Sequence, residues 1–107
     1  MVEKFLGLYE VNEICEDGDY SYPMSAYASF EDPFEIVITN FGDLGIDVIG
    51  IVNLYSIFIP DQFFRINQAD ISILNGEGEI INGALSIRYL YDERGYGSTL
   101  CRIDAFQ

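Results

Sequence analysis

Two cysteines, Cys15 and Cys101, are the only thiol-bearing residues of this 107-residue chain, which contains no histidine. A cysteine nucleophile needs a neighbouring base, usually histidine, and a zinc site needs more nitrogen and sulfur ligands than two cysteines supply. Oxidation to a disulfide is the chemistry that remains, and it is typical of an oxidising compartment. The alternative is two separate, reduced and half-buried cysteines.

Carboxylates are the other abundant reactive groups, with 18 acidic residues against five basic ones. Glu13, Glu16, Asp17 and Asp19 cluster at one predicted turn, but a calcium loop needs six or more oxygen ligands at set spacing. No single carboxylate pair stands out as that of a glycoside hydrolase. The glycines of residues 75–79 lack the Lys-Ser or Lys-Thr pair of a phosphate loop. We therefore expect no enzyme activity, no metal and no cofactor.

The net charge of −13 restricts the classes of partner. Such a chain repels a phosphate backbone, so we expect no nucleic acid ligand, whereas basic partners are attracted. No segment reaches the ~18 uninterrupted apolar residues of a membrane span. The N-terminal residues lack the charged-then-apolar layout of a signal peptide.

Short strands, rather than helices, must position these residues. Apolar and polar side chains alternate in runs that Gly, Asn, Asp and Pro separate. We predict one domain over residues 1–107 with eight strands, at residues 5–14, 20–30, 34–39, 46–53, 54–59, 69–74, 78–91 and 98–106. Residues 75–79 carry a hairpin-turn signal, and residues 82–83 interrupt the seventh strand.

Eight strands with short connections predict an all-β fold, an eight-stranded antiparallel up-and-down barrel, with a two-sheet sandwich as the alternative. Closure of the barrel removes exposed strand edges. The first and last strands of such a barrel are neighbours, so the sulfurs of Cys15 and Cys101 could meet. A bridge between such distant positions would destabilise the unfolded chain by roughly 4–5 kcal/mol in the loop-entropy model.

Two faces of the predicted barrel are candidate contact surfaces. An inner face of aromatic and soft side chains suits a small apolar ligand, although a filled core explains it equally; it comprises Tyr20, Tyr22, Met24, Tyr89 and Tyr91. The fourth and fifth strands are apolar on both faces, and an exposed apolar patch usually marks an interface. We expect contact with a second copy or a neighbouring domain through Ile49, Ile51, Tyr55, Ile57 and Ile59. The alternative is that residues 60–68 bury this sector.

Six short motifs follow one another along nearly the whole chain, at residues 7–9, 13–15, 36–45, 57–62, 75–83 and 100–105. They run Gly-Leu-Tyr, Glu-Ile-Cys, Ile-Val-Ile-Thr-Asn-Phe-Gly-Asp-Leu-Gly, Ile-Phe-Ile-Pro-Asp-Gln, Asn-Gly-Glu-Gly-Glu-Ile-Ile-Asn-Gly and Leu-Cys-Arg-Ile-Asp-Ala. This ordered set resembles small lipocalin-like β domains of bacterial secreted proteins and lipoproteins, mainly of Bacteroidetes. The chain departs from them in carrying Ile, Tyr and acids where their outer faces carry Thr and Ser. It also has residues 53–56 where a tight glycine turn is common.

The resemblance implies a lipocalin-like barrel, a Cys15–Cys101 bridge and a secreted, periplasmic or cell-surface lipoprotein location, with no known ligand. We therefore expect a non-enzymatic exported module that holds a small apolar ligand or docks on a partner through its apolar outer patch. The alternative is a cytoplasmic acidic inhibitor or immunity-type protein that caps a basic site on another protein.

Overall fold

The computed structural model describes residues 2–94 and 97–107. Two single turns of 3-10 helix, Glu3–Phe5 and Phe41–Asp43, accompany nine strands in this part of the chain. The strands are β1 (Gly7–Cys15), β2 (Gly18–Ala28), β3 (Glu35–Thr39), β4 (Val48–Asn53), β5 (Ser56–Ile59), β6 (Gln62–Ile66), β7 (Ala69–Ile81), β8 (Ala84–Glu93) and β9 (Ser98–Phe106). None of the helices in residues 2–94 and 97–107 is long and apolar enough to cross a membrane.

Eight strands close into an antiparallel ring in the order β1-β2-β3-β4-β5-β7-β8-β9, with β9 paired to β1. The predicted eight-stranded barrel is therefore confirmed, and the sandwich alternative is wrong. The ninth strand, β6, lies outside the ring and pairs with β7. Residues 60–68, which include β6, entered the sequence-based predictions only in the alternative that they bury the apolar sector of the fourth and fifth strands.

The strands β5 and β6 follow one antiparallel register along β7. Ile59 lies opposite Gly76 in the first pairing, and Gln62 lies opposite Ile73 in the second, so the two strands continue each other. Pro60 lies at the break, where it has no N–H to give to a ladder. The result is one long strand whose first half belongs to the barrel and whose second half extends beyond it.

Two of the predicted turns are corrected. Residues 82 and 83, predicted as an interruption, form a two-residue hairpin turn with φ of 52° at Asn82 and 78° at Gly83, so the predicted seventh strand is two strands. Residues 75–79, predicted as a hairpin turn, lie inside β7 at a bulge, where the register with β8 shifts between Leu74 and Glu77. Beyond the bulge, where Gly78 lies opposite Ile87, glycine is required because an added Cβ would lie 2.0 Å from the Ser86 carbonyl oxygen.

The inward side chains of the ring form one continuous core. Each strand contributes alternate residues, such as Val11, Met24 and Ile103. Phe5, just before β1, and Phe41, just after β3, are fully buried at opposite ends of the barrel. The end that contains Phe41 also carries the chain's two cysteines, and we call it the disulfide end.

Candidate functional site

The first feature of the disulfide end is the bond itself. Cys15, the last residue of β1, lies directly opposite Cys101 of β9, and their sulfurs are 2.08 Å apart. The predicted bridge is confirmed. Because β1 and β9 are the first and last strands of the ring, it covalently links the two strands at which the ring closes.

Beside the disulfide lies a buried carboxyl group. Glu13 points inward from β1 and is only 2% exposed. Its Oε1 accepts a hydrogen bond of 2.5 Å from the Tyr22 hydroxyl, and its Oε2 accepts one from the Tyr89 hydroxyl. The Cys15 sulfur is 3.4 Å from Oε2, which is a contact only, because a disulfide sulfur carries no hydrogen to donate.

Burial changes the acidity of all three groups in this cluster. It raises the pKa of Glu13, because ionisation here leaves a charge with little solvent, and the two tyrosine hydrogen bonds oppose that rise only in part. Burial also raises the pKa of Tyr22 and of Tyr89, and the neighbouring Glu13 raises both further. The two phenols therefore stay protonated and act as hydrogen-bond donors.

The 3-10 turn Phe41–Asp43 lies over these tyrosines. The Phe41 ring packs at 4.7 Å from the Tyr89 ring, and the Gly42 backbone is near enough to the Tyr22 hydroxyl to lower its pKa in part against the effect of burial. Gly42 has φ of 66°, and an added Cβ would lie 3.0 Å from the Tyr89 hydroxyl. Both the backbone conformation and the close approach favour glycine at this position.

A pocket of about 370 Å³ opens at the disulfide end. It contains four carboxyl groups and three tyrosine rings, and the described residues that line it include no lysine and no arginine. The lining residues are Glu13, Cys15, Asp17, Tyr20, Gly42, Asp43, Leu44, Tyr89, Tyr91, Glu93, Thr99 and Cys101. We call this site the acidic tyrosine pocket.

Hydrogen bonds hold the rim of the pocket. The Tyr91 hydroxyl donates to Glu93 Oε1 at 2.8 Å, and the Tyr20 hydroxyl lies 3.5 Å from Asp17 Oδ1. Partial burial raises the pKa of Tyr91 to about 12, and the negative charge of Asp17 raises the pKa of Tyr20. The rim therefore presents neutral aromatic rings next to carboxylates, which is an environment that attracts a positive charge.

The five predicted ligand residues divide between two places. Tyr22 and Met24 are buried in the barrel core, whereas Tyr20, Tyr89 and Tyr91 line the acidic tyrosine pocket. The assignment of a ligand to them stays a prediction. Glu13, predicted as part of an acidic cluster at a turn, is instead buried, and its alternation with Tyr9 and Val11 on β1 signals that inward position.

The predicted outer patch is partly corrected. Ile51 and Tyr55 are exposed and Ile49 is half-buried, but Ile57 and Ile59 lie inside the barrel and are 3% and 0% exposed. The reason is the two-residue turn between β4 and β5, which sets Ile57 opposite the inward Val52, and directly opposed residues share a face. The outward aromatic residue of β5 is Phe58.

Among the described residues, one group of potential metal ligands lies at the disulfide end. Glu13, Cys15 and Cys101 lie close enough to share an ion, with ligand atoms within 4.8 Å of one another. Both sulfurs are bonded to each other, so the group offers one carboxylate and no thiolate. Glu16 instead completes the β1–β9 ladder, since its Oε1 accepts a hydrogen bond of 2.7 Å from the Leu100 N–H.

A scan against protein-family models finds no match to this chain, and a search of curated proteins finds none either. The resemblance to lipocalin-like domains of Bacteroidetes therefore stays a prediction. The barrel and the disulfide stand on the structure alone.

Proposed function

We propose that this protein is a non-catalytic, exported binding module whose acidic tyrosine pocket takes an ammonium or guanidinium group. One observation carries the proposal: four carboxyl groups and three tyrosine rings converge in one concave site whose described lining contains no basic residue. Carboxylates together with aromatic faces are the surroundings in which proteins hold organic cations.

The volume and the charge of the pocket suit the ammonium or guanidinium group of a basic side chain. The volume of about 370 Å³ lies at the small end of the range of ligand pockets, roughly 300–1,000 Å³. The net charge of −13 adds a long-range field that speeds encounters with basic partners. We therefore favour a lysine or arginine side chain of a partner protein as the ligand.

The buried Glu13 strengthens this preference. Burial makes ionisation of Glu13 less favourable than in water and so raises its pKa. A cation in the pocket would stabilise the ionised form, so binding of the cation and ionisation of Glu13 would favour each other. Affinity should therefore rise with pH through the pKa of Glu13.

Export is supported by the disulfide, which is typical of oxidising compartments, and by the lipocalin-like resemblance. The acidic inhibitor that caps a basic site is the second candidate, and the same pocket and net charge favour it. A small apolar ligand inside the barrel has less support, because Tyr22 and Met24 are core residues. We therefore locate the ligand at the disulfide end rather than in the barrel interior.

The test compares one cationic probe with its neutral analogue. Nα-acetyl-lysine amide, which keeps its side-chain ammonium group, should bind with a Kd on the order of 1 mM, and Nα-acetyl-norleucine amide at least tenfold more weakly. Asp17→Asn and Tyr20→Ala should each weaken binding of the lysine probe. Tyr27→Ala is the matched control, because Tyr27 is an exposed tyrosine of β2 outside the pocket lining and its loss should change nothing.

A second comparison separates the sources of the cation. A lysine-containing tetrapeptide that binds at least tenfold more tightly than the lysine amide would assign the site to a protein partner. Tighter binding of spermidine than of the tetrapeptide would assign it to a free polyamine-like cation. Equal binding of the lysine and norleucine amides, or an unchanged affinity in both pocket variants, would contradict the proposal.

A further inference from the structure

We infer that the open edge of β6 pairs with β6 of a second copy of this chain, as two antiparallel strands related by a two-fold axis. The strand extends beyond the ring, and among the described residues only β7 pairs with it. An unpaired strand edge is a template for the addition of another strand. This inference is independent of the acidic tyrosine pocket.

The register of the β6–β7 hairpin identifies the free backbone groups. Its two-residue turn, Asn67 and Gln68, has φ of 50° and 69°, so Ile66 and Ala69 close the hairpin as a hydrogen-bonded pair. Alternation along an antiparallel ladder then directs the N–H and C=O groups of Phe63 and Arg65 away from β7. The Asp70 carbonyl, opposite Arg65, agrees with this alternation, because it accepts from the Arg94 N–H on the far side of β7.

A second stretch of open edge shows how this chain protects an edge. Among the residues that the structure describes, no strand pairs with the first part of β2 on its β3 side, since β3 pairs from Ser25 onward. Pro23 has no N–H there, and its carbonyl accepts a hydrogen bond of 2.8 Å from the Asn40 side chain. The edge of β6 has no proline inside it, and its Phe63 side chain is 73% exposed.

A second copy fits this edge because the edge is complementary to itself. A two-fold axis at Phe64 sets Phe63 opposite Arg65 of the second copy, and Arg65 opposite its Phe63. The four outward N–H groups and four outward carbonyls are then arranged for four hydrogen bonds. Each aromatic ring also faces a guanidinium group on the outer side of the new sheet.

The segment around β6 is less acidic than the rest of the chain, which favours association of two copies there. Each copy carries a net charge of −13, which opposes association in general. Residues 48–69, however, contain one acidic residue, Asp61, out of the chain's 18. Just beyond them, Asp70 forms an ion pair of 3.1 Å with Arg65. Two copies that meet along β6 therefore bring few uncompensated negative charges together.

The interface is small, so we expect a weak dimer that forms at high protein concentration. Added salt should strengthen it, because salt screens the repulsion between the two acidic copies. Dilution should return the monomer with its acidic tyrosine pocket unchanged.

Amide hydrogen exchange read by NMR, at low and at high concentration of the unmodified protein, tests the inference directly. The amides of Phe63 and Arg65 should exchange at least tenfold more slowly at high concentration. Those of Phe64 and Ile66 already bond to β7 and serve as internal controls with unchanged rates. Rates for Phe63 and Arg65 that do not depend on concentration, or a monomer by light scattering at every concentration, would overturn the inference.

Two variants provide a separate test. Phe63→Pro removes an outward N–H without touching a β6–β7 hydrogen bond, so the fold should persist and dimer affinity should fall about tenfold or more. Phe58→Ser is the matched control, because it removes an exposed aromatic residue of β5 away from the open edge. A dimer that survives Phe63→Pro but is lost in Phe58→Ser would refute β6 pairing and assign the contact to the outer face of β5.

Discussion

The Gln62 side chain bonds both backbone groups of Ile49. Its Oε1 accepts from the Ile49 N–H and its Nε2 donates to the Ile49 carbonyl, each at 2.9 Å. The β4–β5 register would set Ile49 opposite Pro60, which has no N–H. A side-chain amide thus takes the place of the missing backbone partner where β5 ends and β6 begins.

Replacement of Gln62 by leucine should lower the free energy of unfolding by about 1–3 kcal/mol, because both polar groups of half-buried Ile49 lose their partner. Denaturant unfolding measures this loss. Phe63→Leu, an exposed substitution at the next position, should change stability by less than about 0.5 kcal/mol. Equal losses in the two variants would mean that the amide bonds do not stabilise the junction.

Glu13 should make stability depend on pH. Burial raises the pKa of Glu13 in the folded protein, so its protonated form contributes to the free energy of unfolding. This contribution is fully present below the pKa of Glu13 in the unfolded chain, near 4.5, and is lost as pH rises through its pKa in the folded protein. Glu13→Gln keeps the size of the side chain and removes this titration. The free energy of unfolding of the variant relative to the unmodified protein should therefore rise with pH.

The comparison of the two proteins isolates the contribution of Glu13, whose pKa the charges of Asp43 and Asp17 raise in addition to burial. Denaturant unfolding over a pH series that starts below 4.5 supplies the data. A stability difference that stays constant across the series would contradict a raised pKa at Glu13.

Removal of the disulfide should destabilise the protein without opening the barrel. The bond spans 86 positions, for which the loop-entropy model gives about 4–5 kcal/mol. We expect a loss of about 2–5 kcal/mol for the Cys15→Ala, Cys101→Ala double variant, since measured losses for native disulfides fall in that range. The β1–β9 ladder should persist in its amide exchange pattern, and a loss below about 1 kcal/mol would contradict a stabilising role.

Position 78 of β7, in the regular ladder after the bulge, should tolerate no side chain. Gly78→Ala would set a Cβ 2.0 Å from the Ser86 carbonyl oxygen, which is backbone and can move only if β7 and β8 separate. We expect a loss of about 3 kcal/mol or more in the free energy of unfolding. Gly45→Ala is the control, because its φ of 68° strains alanine but no atom lies within 4 Å, and it should cost about 1–2 kcal/mol.

Alternation and turn residues were enough to predict the barrel, and the bridge between Cys15 and Cys101 followed from the exact pair of cysteines, the adjacency of the first and last strands and the lipocalin-like resemblance. The predicted strand boundaries are wrong where an Asn-Gly pair occurs, because this pair is compatible with either a hairpin turn or a bulge. Asn82-Gly83 and Asn75-Gly76 both resemble hairpin turns, and only the pairing of β7 with β5, β6 and β8 makes the second a bulge. Local pattern carries no information on that long-range pairing.

The candidate site was predictable only in part. Tyr20, Tyr89 and Tyr91 were grouped from their strand faces, and Glu93 follows Tyr91 on the same face of β8, whereas Asp43 reaches the pocket from the turn after β3. Ile57 and Ile59 were assigned to the correct common face of β5, but the turn that directs this face inward was not recognised. Which face of a doubly apolar strand points inward depends on the register with its neighbour.

The central claim is that the acidic tyrosine pocket binds a cationic group, and the NMR signals of the tyrosine rings test it most directly. Titration with Nα-acetyl-lysine amide should shift the signals of Tyr20 and Tyr91 and leave those of Tyr27 and Tyr55 in place. The affinity for this probe should rise with pH through the pKa of Glu13. Nα-acetyl-norleucine amide should shift none of these signals. Shifts of equal size with both probes, or shifts at Tyr27 and Tyr55 rather than at Tyr20 and Tyr91, would contradict the account.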